Sequence, residues 1–424
     1  MTIKKTIDKD WFKNGKKHVW HPYTQEQIAP DPIQVVGTHG CKVKLADGSE
    51  LIDGISSWWS ACHGYNHPHI LEAVEHQLKK MPHFMFAGAA HEPAYTLAAR
   101  LSKLSGLERV FFCDTGSTAI ETALKMAVQY WKNKGDKRRN KFISFNNGYH
   151  GDTMGCMSLC DPDNGMHKSF NEYMPKQYCV RVPSDEYDFS EFEAIVEGIQ
   201  STTAAVIIEP LVQGAGGFKF HSPDVLAEIY RITKKYGLLF IADEVMTGFG
   251  RTGHMFACEE AAILPDIMCI GKGLTGGMMT MAATLAKEEI FKAFLGEEME
   301  KALMSGPTFM ANPLACAAAN ASIDLFEKEE RLEQVAKIEK QLYEELSPCT
   351  KFDKVNDVRV KGAIGVVQIE TDIKEIFELR QKFIQHGVWL RPFGDVVYIM
   401  PAFTISKSEL SKLTGAICQI LKKR

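Results

Sequence analysis

The stretch "LLFIADEVMTGFGRTG" at 238–253, followed by "PDIMCIGKGLTGG" at 265–277, decides the fold of this chain. In each, a short apolar run stops abruptly at acidic or glycine-bearing residues, the pattern of a buried strand leaving a sheet. Strands are expected at 238–242 and 267–270. Working outward, similar runs predict strands at 110–113, 141–145 and 204–208, and segments of helical periodicity lie at 70–80, 118–132 and 223–236. Strands alternating with helices imply an α/β domain with a mostly parallel sheet flanked by helices. Such a sheet binds ligands outside the carboxyl ends of its strands. Asp243 is the first polar residue of one such strand and Lys272 lies just past another, so both belong at that edge.

After Asn312-Pro313, "LACAAANASIDLFEKEERLEQVAKIEKQLYEEL" predicts long helical structure. Beyond it "AIGVVQI" and "VVYIMPA" are strands of a smaller α+β unit that closes with a helix at 407–422. The expected organisation is a segment of the small domain at 1–60, a large domain at 61–315 and the rest of the small domain at 316–424. There is no internal repeat and no low-complexity linker.

Bulk properties narrow the function. The 424 residues, 45% hydrophobic and 24% charged, suit a large globular core. The net charge of −4 and the lack of a basic stripe argue against a nucleic-acid surface. No run of 18 apolar residues suggests a membrane span, and the polar first 17 residues lack a secretory pattern. Eleven cysteines, mostly beside apolar neighbours, read as free thiols of a reducing compartment, so a cytoplasmic location is expected.

Asp243 and Lys272, about 30 residues apart and ending two strands, are the residue pair that pyridoxal phosphate needs. The lysine amine can hold the cofactor as a Schiff base and, once released, carry a proton. A carboxylate keeps the pyridine nitrogen protonated. Alone, Asp243 could cap a helix and Lys272 could be a loop lysine, but the glycines around Lys272 permit close backbone approach. A phosphate site should lie nearby. In "FFCDTGSTAIETALKMA", Gly116, Ser117 and Thr118 open a helix whose positive end suits an anion, although Ser and Thr also cap helices everywhere. Tyr149 in "FNNGYHGDT" follows a strand and is placed either to lie against a planar ring or to fill a core. Glu209 ends "AAVIIE" at the same edge.

Other patterns mislead. "GFGRTG", 248–253, fits GxGxxG but lacks the helix and ribose-binding acid of a dinucleotide site. Lys272 lies in "GKG" without the upstream glycine of a P-loop. His63, His67 and His69 in "HGYNHPHI" are broken by Pro68 and have no acidic partner, so no metal site is expected.

The two opening stretches together with "SGPTFMANPLACAAA" resemble the class III aminotransferases of pyridoxal-phosphate fold type I. The resemblance continues through "HVWHPYTQ", "DGISSWWSACHGYNHP", "NGYHGDTMGCMSLCDPDN", "IIEPLVQGAGG" and "GVWLRPFGDVVYIMP", from about His18 to the C-terminal strands. It is strongest with the members that serve biotin synthesis. It implies S-adenosyl-L-methionine as amino donor and 8-amino-7-oxononanoate as acceptor, giving 7,8-diaminononanoate. Lysine as donor, or an ω-amino-acid specificity of the ornithine or 4-aminobutyrate type, are the alternatives. By the same resemblance, Lys272, Asp243 and Tyr149 are catalytic, and Gly116, Ser117, Tyr149, Asp243, Lys272, Pro307 and Thr308 bind the cofactor. Pro307 and Thr308 would do so from a neighbouring subunit, which implies a homodimer with shared sites. Tyr23, Trp58, Gly306, Tyr398 and Arg251 would bind or shape the substrate, and Arg391 would hold its carboxylate. Ser305 departs from the family pattern, where histidine often precedes "GPTF".

Overall fold

A computed structural model describes residues 10–184 and 186–423 of the chain. Three short strands come first: β1 (Val35–His39), β2 (Lys42–Leu45) and β3 (Glu50–Asp53). Then follow β4 (Arg109–Cys113), β5 (Lys141–Phe145), β6 (Tyr178–Val180), β7 (Thr203–Ile208), the small hairpin of β8 (Val212–Gln213) and β9 (Lys219–Phe220), β10 (Leu239–Asp243), β11 (Ile267–Ile270) and β12 (Ala282–Ala286). Apart from that hairpin, the strands from β4 to β12 form one seven-stranded sheet in the order β4-β12-β11-β10-β7-β5-β6. Only β12 runs against its neighbours, pairing antiparallel with both β11 and β4. The expected α/β class with a mostly parallel sheet is what the chain adopts.

Both β7 and β10 are buried along their whole length, as interior strands of a sheet covered on both faces must be. Their side chains alternate. Ile207, Leu239 and Ile241 pack with Ala119, Ile120, Ala123 and Ala127 of the helix Gly116–Asn133. Val206, Phe240 and Ala242 point the other way, into a cluster with Leu226, Ile229 and Ile232 of the helix Pro223–Lys235. Helix Pro223–Lys235 starts at the Ser222 cap with proline at its first position, and helix Gly116–Asn133 starts with a reciprocal Thr115/Thr118 capping box. These caps fix where the two helices meet the sheet edge.

The alanine-rich segment forms two helices, Pro313–Lys328 and Arg331–Leu346, because Glu329 turns extended and the chain restarts at Arg331. The C-terminal strands β13 (Val355–Lys361), β14 (Ile364–Ile369) and β16 (Val396–Ile399) make a separate antiparallel sheet. Between them in sequence, β15 (Val388–Trp389) leaves that sheet and pairs in parallel with β3. N-terminal and C-terminal segments therefore share a sheet, with Trp389 opposite Asp53. No helix among the described residues is long and apolar enough to cross a membrane. All eleven cysteines are free thiols, and nine are buried.

Candidate active site

Two adjacent parallel strands deliver the central pair. β10 ends in Asp243, which stands opposite Cys269 of β11, and β11 ends at Ile270, two residues before Lys272. Lys272 itself adopts φ +43°, a left-handed conformation rare for a residue with a side chain and concentrated at functional sites. Asp243 and Lys272 line one cavity of about 190 Å³, together with Gly116, Ser117, Tyr149, His150, Glu209 and Trp59 among others. The Lys272 amine sits 4.8 Å above the Trp59 ring. Burial lowers its pKa, and the negative charges of Asp243 and Glu209 partly restore it.

Asp243 is held from behind. Its Oδ2 lies 2.7 Å from His150 Nδ1 and its Oδ1 accepts the Val245 N–H at 3.1 Å. Burial alone would lower the pKa of His150, but the hydrogen bond and charge of Asp243, with Glu209 beyond, leave it raised. The His150 imidazole braces the carboxylate from behind, and Asp243 still forms part of the cavity wall.

The anion cradle is built from close backbone. The first amides of the helix Gly116–Asn133 have no acceptor within the helix, and they come from Gly116 and Ser117 at the cavity wall. A Cβ on Gly116 would lie 2.7 Å from Val245 Cγ1, and one on Gly151, at φ +119°, would lie 2.1 Å from Ser117 Oγ. Side chains at either position would fill the space the cradle needs. Ser117 Oγ also accepts the Asp152 N–H at 3.2 Å, tying the loop after β5 to this helix start.

Trp59, Tyr149, Ala215 and Lys272 also line a second cavity of about 400 Å³ that continues outward past Tyr23, Trp58, Arg391 and Phe393. Here the walls are aromatic and cationic. Trp58 meets Tyr23 edge-on at 5.7 Å, and the Arg391 guanidinium lies 4.7 Å over the Trp58 ring. Arg391 is half-buried and has no carboxylate partner among the described residues. The Tyr149 hydroxyl donates to Asp152 Oδ1 at 2.9 Å, Tyr23 donates to the other Asp152 oxygen, and the Tyr149 ring stacks on His167 at 5.9 Å.

Two expected substrate residues stand elsewhere. Arg251 is 1% exposed, and its guanidinium donates to the carbonyls of Ala363 and Pro401 at 3.1 and 2.8 Å and to Ser56 Oγ at 3.3 Å. It lines neither cavity. Its role is to clamp the N-terminal and C-terminal segments onto the turn 248–253, and only through Ser56 does it bear on the substrate wall. Tyr398, also 1% exposed, packs one ring back, against Trp59, Phe218 and Phe393. Gly306, Pro307 and Thr308 touch neither cavity within one chain.

The sequence reading passed over His150 and Asp152. His150 was the findable one, since it adjoins Tyr149 in a polar loop that leaves a strand at the functional edge. His63, His67 and His69 go to separate partners: Ser322 and Arg331, Glu329, and Asp324.

Glu209 carries a testable pH signature. Its oxygens accept the N–H groups of Tyr149 and Gly214 at 3.0 and 2.9 Å, yet burial, reinforced by Asp243, raises its pKa from 4.5 to about 7. The folded chain thus favours the protonated acid. Stability from this group is fully present below pH 4.5 and is lost as pH rises through about 7. The full loss is on the order of 3 kcal/mol. In thermal unfolding of cofactor-free protein between pH 5 and 8, Glu209→Gln should show a shallower decline with rising pH than the parent. Equal slopes would mean that Glu209 is ionised throughout.

Comparison with known proteins agrees with this geometry. The family model for "Aminotransferase class-III" matches residues 23–421. The adenosylmethionine-8-amino-7-oxononanoate aminotransferase of Buchnera aphidicola subsp. Schizaphis graminum is 44% identical, over 95% of this chain and 94% of that protein. Among solved structures, the enzyme of that name from Methanocaldococcus jannaschii superposes with a TM-score of 0.91 at 33% identity, covering 98% of each chain. An amine transaminase from an uncultivated Pseudomonas species, solved in its PLP-bound form, gives 0.89 at 30% identity, over 96% of this chain and 98% of that one.

Proposed function

The chain belongs to the class III aminotransferases and is a transaminase that uses pyridoxal phosphate; from that premise we propose that it moves an amino group from S-adenosyl-L-methionine to 8-amino-7-oxononanoate, giving 7,8-diaminononanoate for biotin synthesis. The cavity suits the cofactor on chemical grounds. An amine, a buried carboxylate braced by histidine, and a glycine-lined helix start occupy three sides of one space. When bound, pyridoxal phosphate supplies the electron sink that makes a substrate Cα–H acidic.

The residues divide the remaining work. Lys272 would hold the cofactor, and its Nζ, with a pKa lowered by burial, would take up and return the substrate Cα proton. Asp243 holds the proton of the ring nitrogen. Gly116 and Ser117 bind the phosphate through helix-start amides, and Tyr149 orients the ring while its hydroxyl stays fixed on Asp152. Arg391 takes the acceptor carboxylate, and Trp58 and Tyr23 flank its methylene chain and the sulfonium of the donor. Donor and acceptor use the same site in turn, so kinetics are ping-pong.

The observation that carries this reading is the unpaired, half-buried Arg391 guanidinium facing a cavity that runs on to Lys272. A guanidinium without a carboxylate of its own, at the far end of an aromatic channel, suits a long substrate with a terminal acid. Pro307 and Thr308 complete the phosphate site from a second copy in a homodimer. Supporting that, they sit on a loop that turns Met304 and Phe309 outward, 77% and 55% exposed. The free thiols suit a cytoplasmic enzyme.

Mixing the holoenzyme with each donor in turn and following the cofactor's visible absorbance tests the substrate assignment. S-adenosyl-L-methionine should discharge the absorbance, and 8-amino-7-oxononanoate should restore it. Discharge by lysine, ornithine or 4-aminobutyrate alone would overturn the donor assignment.

A further inference from the structure

Four consecutive residues without a single glycine, Ser56, Ser57, Trp58 and Trp59, carry φ values of 40°, 51°, 60° and 74°. This is a left-handed turn, which L-residues avoid and which persists only where surrounding structure over-determines it. The turn does two things at once. It lays Trp59 under the Lys272 amine at 4.8 Å and Trp58 under the Arg391 guanidinium at 4.7 Å.

What over-determines it is Asp53. This carboxylate is 2% exposed at the end of β3. Its Oδ1 accepts the Ile55 N–H at 2.8 Å, and its Oδ2 accepts the Ser57 N–H at 3.0 Å and the Tyr65 hydroxyl at 2.6 Å. Asp53 is also the register partner of Trp389, and the next residue, Gly54, donates its N–H to the Trp389 carbonyl at 3.0 Å. From that pairing one strand runs to Trp58 and the other reaches Arg391 two residues later. A Cβ on Gly54 would lie 2.5 Å from Leu390 Cδ2, so the two exits are packed as closely as backbone allows. Asp53 itself lines neither cavity.

We propose that Asp53 is a positioning residue for substrate: by holding the left-handed turn it sets Trp58 against Arg391, and so determines affinity for the carboxylate-bearing acceptor. The proposal rests on the reading of the Arg391 cavity as the acceptor site. It assigns Asp53 no contact with substrate or cofactor.

Steady-state kinetics of the holoenzyme with 8-amino-7-oxononanoate decide it. Asp53→Asn keeps the shape but puts an N–H₂ where an acceptor is needed, so one of the two turn amides loses its partner. The acceptor KM should rise about tenfold, kcat should stay within about threefold, and the bound cofactor's absorbance should be unchanged. In a Trp58→Ala background the same substitution should move KM by less than about twofold, because its effect passes through that ring. Tyr65→Phe, which removes one bond of the three, should shift KM in the same direction by less, and serves if Asp53→Asn does not fold. An equal KM shift with and without Trp58, or lost cofactor and kcat at constant KM, would overturn the proposal. Arg391→Ala separates the two layers. If it leaves the acceptor KM unmoved while the Asp53 effect still depends on Trp58, the carboxylate reading fails and the positioning role stands.

Discussion

Replacing Lys272 with alanine is expected to lower transamination by about 10⁴-fold or more, with loss of covalently held cofactor. The size follows from the two tasks that converge on one atom. Nζ is the only amine among the residues lining the inner cavity, so no neighbour can take over attachment. It is also the base best placed for the proton transfer, since Asp243 is occupied by His150 and Val245 and the Glu209 oxygens already accept the N–H groups of Tyr149 and Gly214. Lys272→Arg should lose nearly as much. Arginine keeps a positive charge over the Trp59 ring but is not a nucleophile and does not deprotonate. Mass spectrometry after hydride reduction should find the cofactor on a Lys272 peptide in the parent and on none in either variant. A Lys272→Ala protein retaining more than about 1% of the parent rate would show that the proton travels by another group.

The two strands that carry this chemistry were legible because each is a purely apolar run that stops at its functional residue. β11 was bounded to the residue, and β10 to within one. β12 was not, since "AATLA" is made of small residues that favour helix as readily as strand, and only its place between β4 and β11 makes it one. The pairing of β3 with β15 joins residues more than 300 positions apart, which no local pattern encodes. Nor does sequence announce the left-handed turn at Ser56–Trp59, where the usual glycine signal is missing. Arg251 shows the limit most clearly. Resemblance to the family pattern suggested that it shapes the substrate site, whereas its guanidinium is spent on the protein's own backbone at Ala363 and Pro401. A motif places such a residue near the site, but the direction of its side chain is settled by packing that arrives from elsewhere in the chain.

Asp243→Asn should lower the rate by about 10²–10⁴-fold while leaving the cofactor attached to Lys272. An ionised carboxylate is acceptor-only, so one group can take His150, the Val245 amide and a protonated ring nitrogen together. Asparagine has one acceptor oxygen and an N–H₂ that can only donate. Whichever way it turns, either the histidine or the ring nitrogen faces a donor. The substitution also removes the hydrogen bond and charge that raise the pKa of His150. Loss of the carboxylate's charge and acceptor favours a neutral ring nitrogen and weakens the electron sink, whereas attachment at Lys272 does not need it. The test is a comparison of single-turnover rates with reduced-peptide mass spectrometry: a large fall in the first with the second intact supports the role. Asp243→Asn turnover within tenfold of the parent would mean that ring protonation does not depend on this carboxylate, and His150 would then be left without a catalytic purpose behind it.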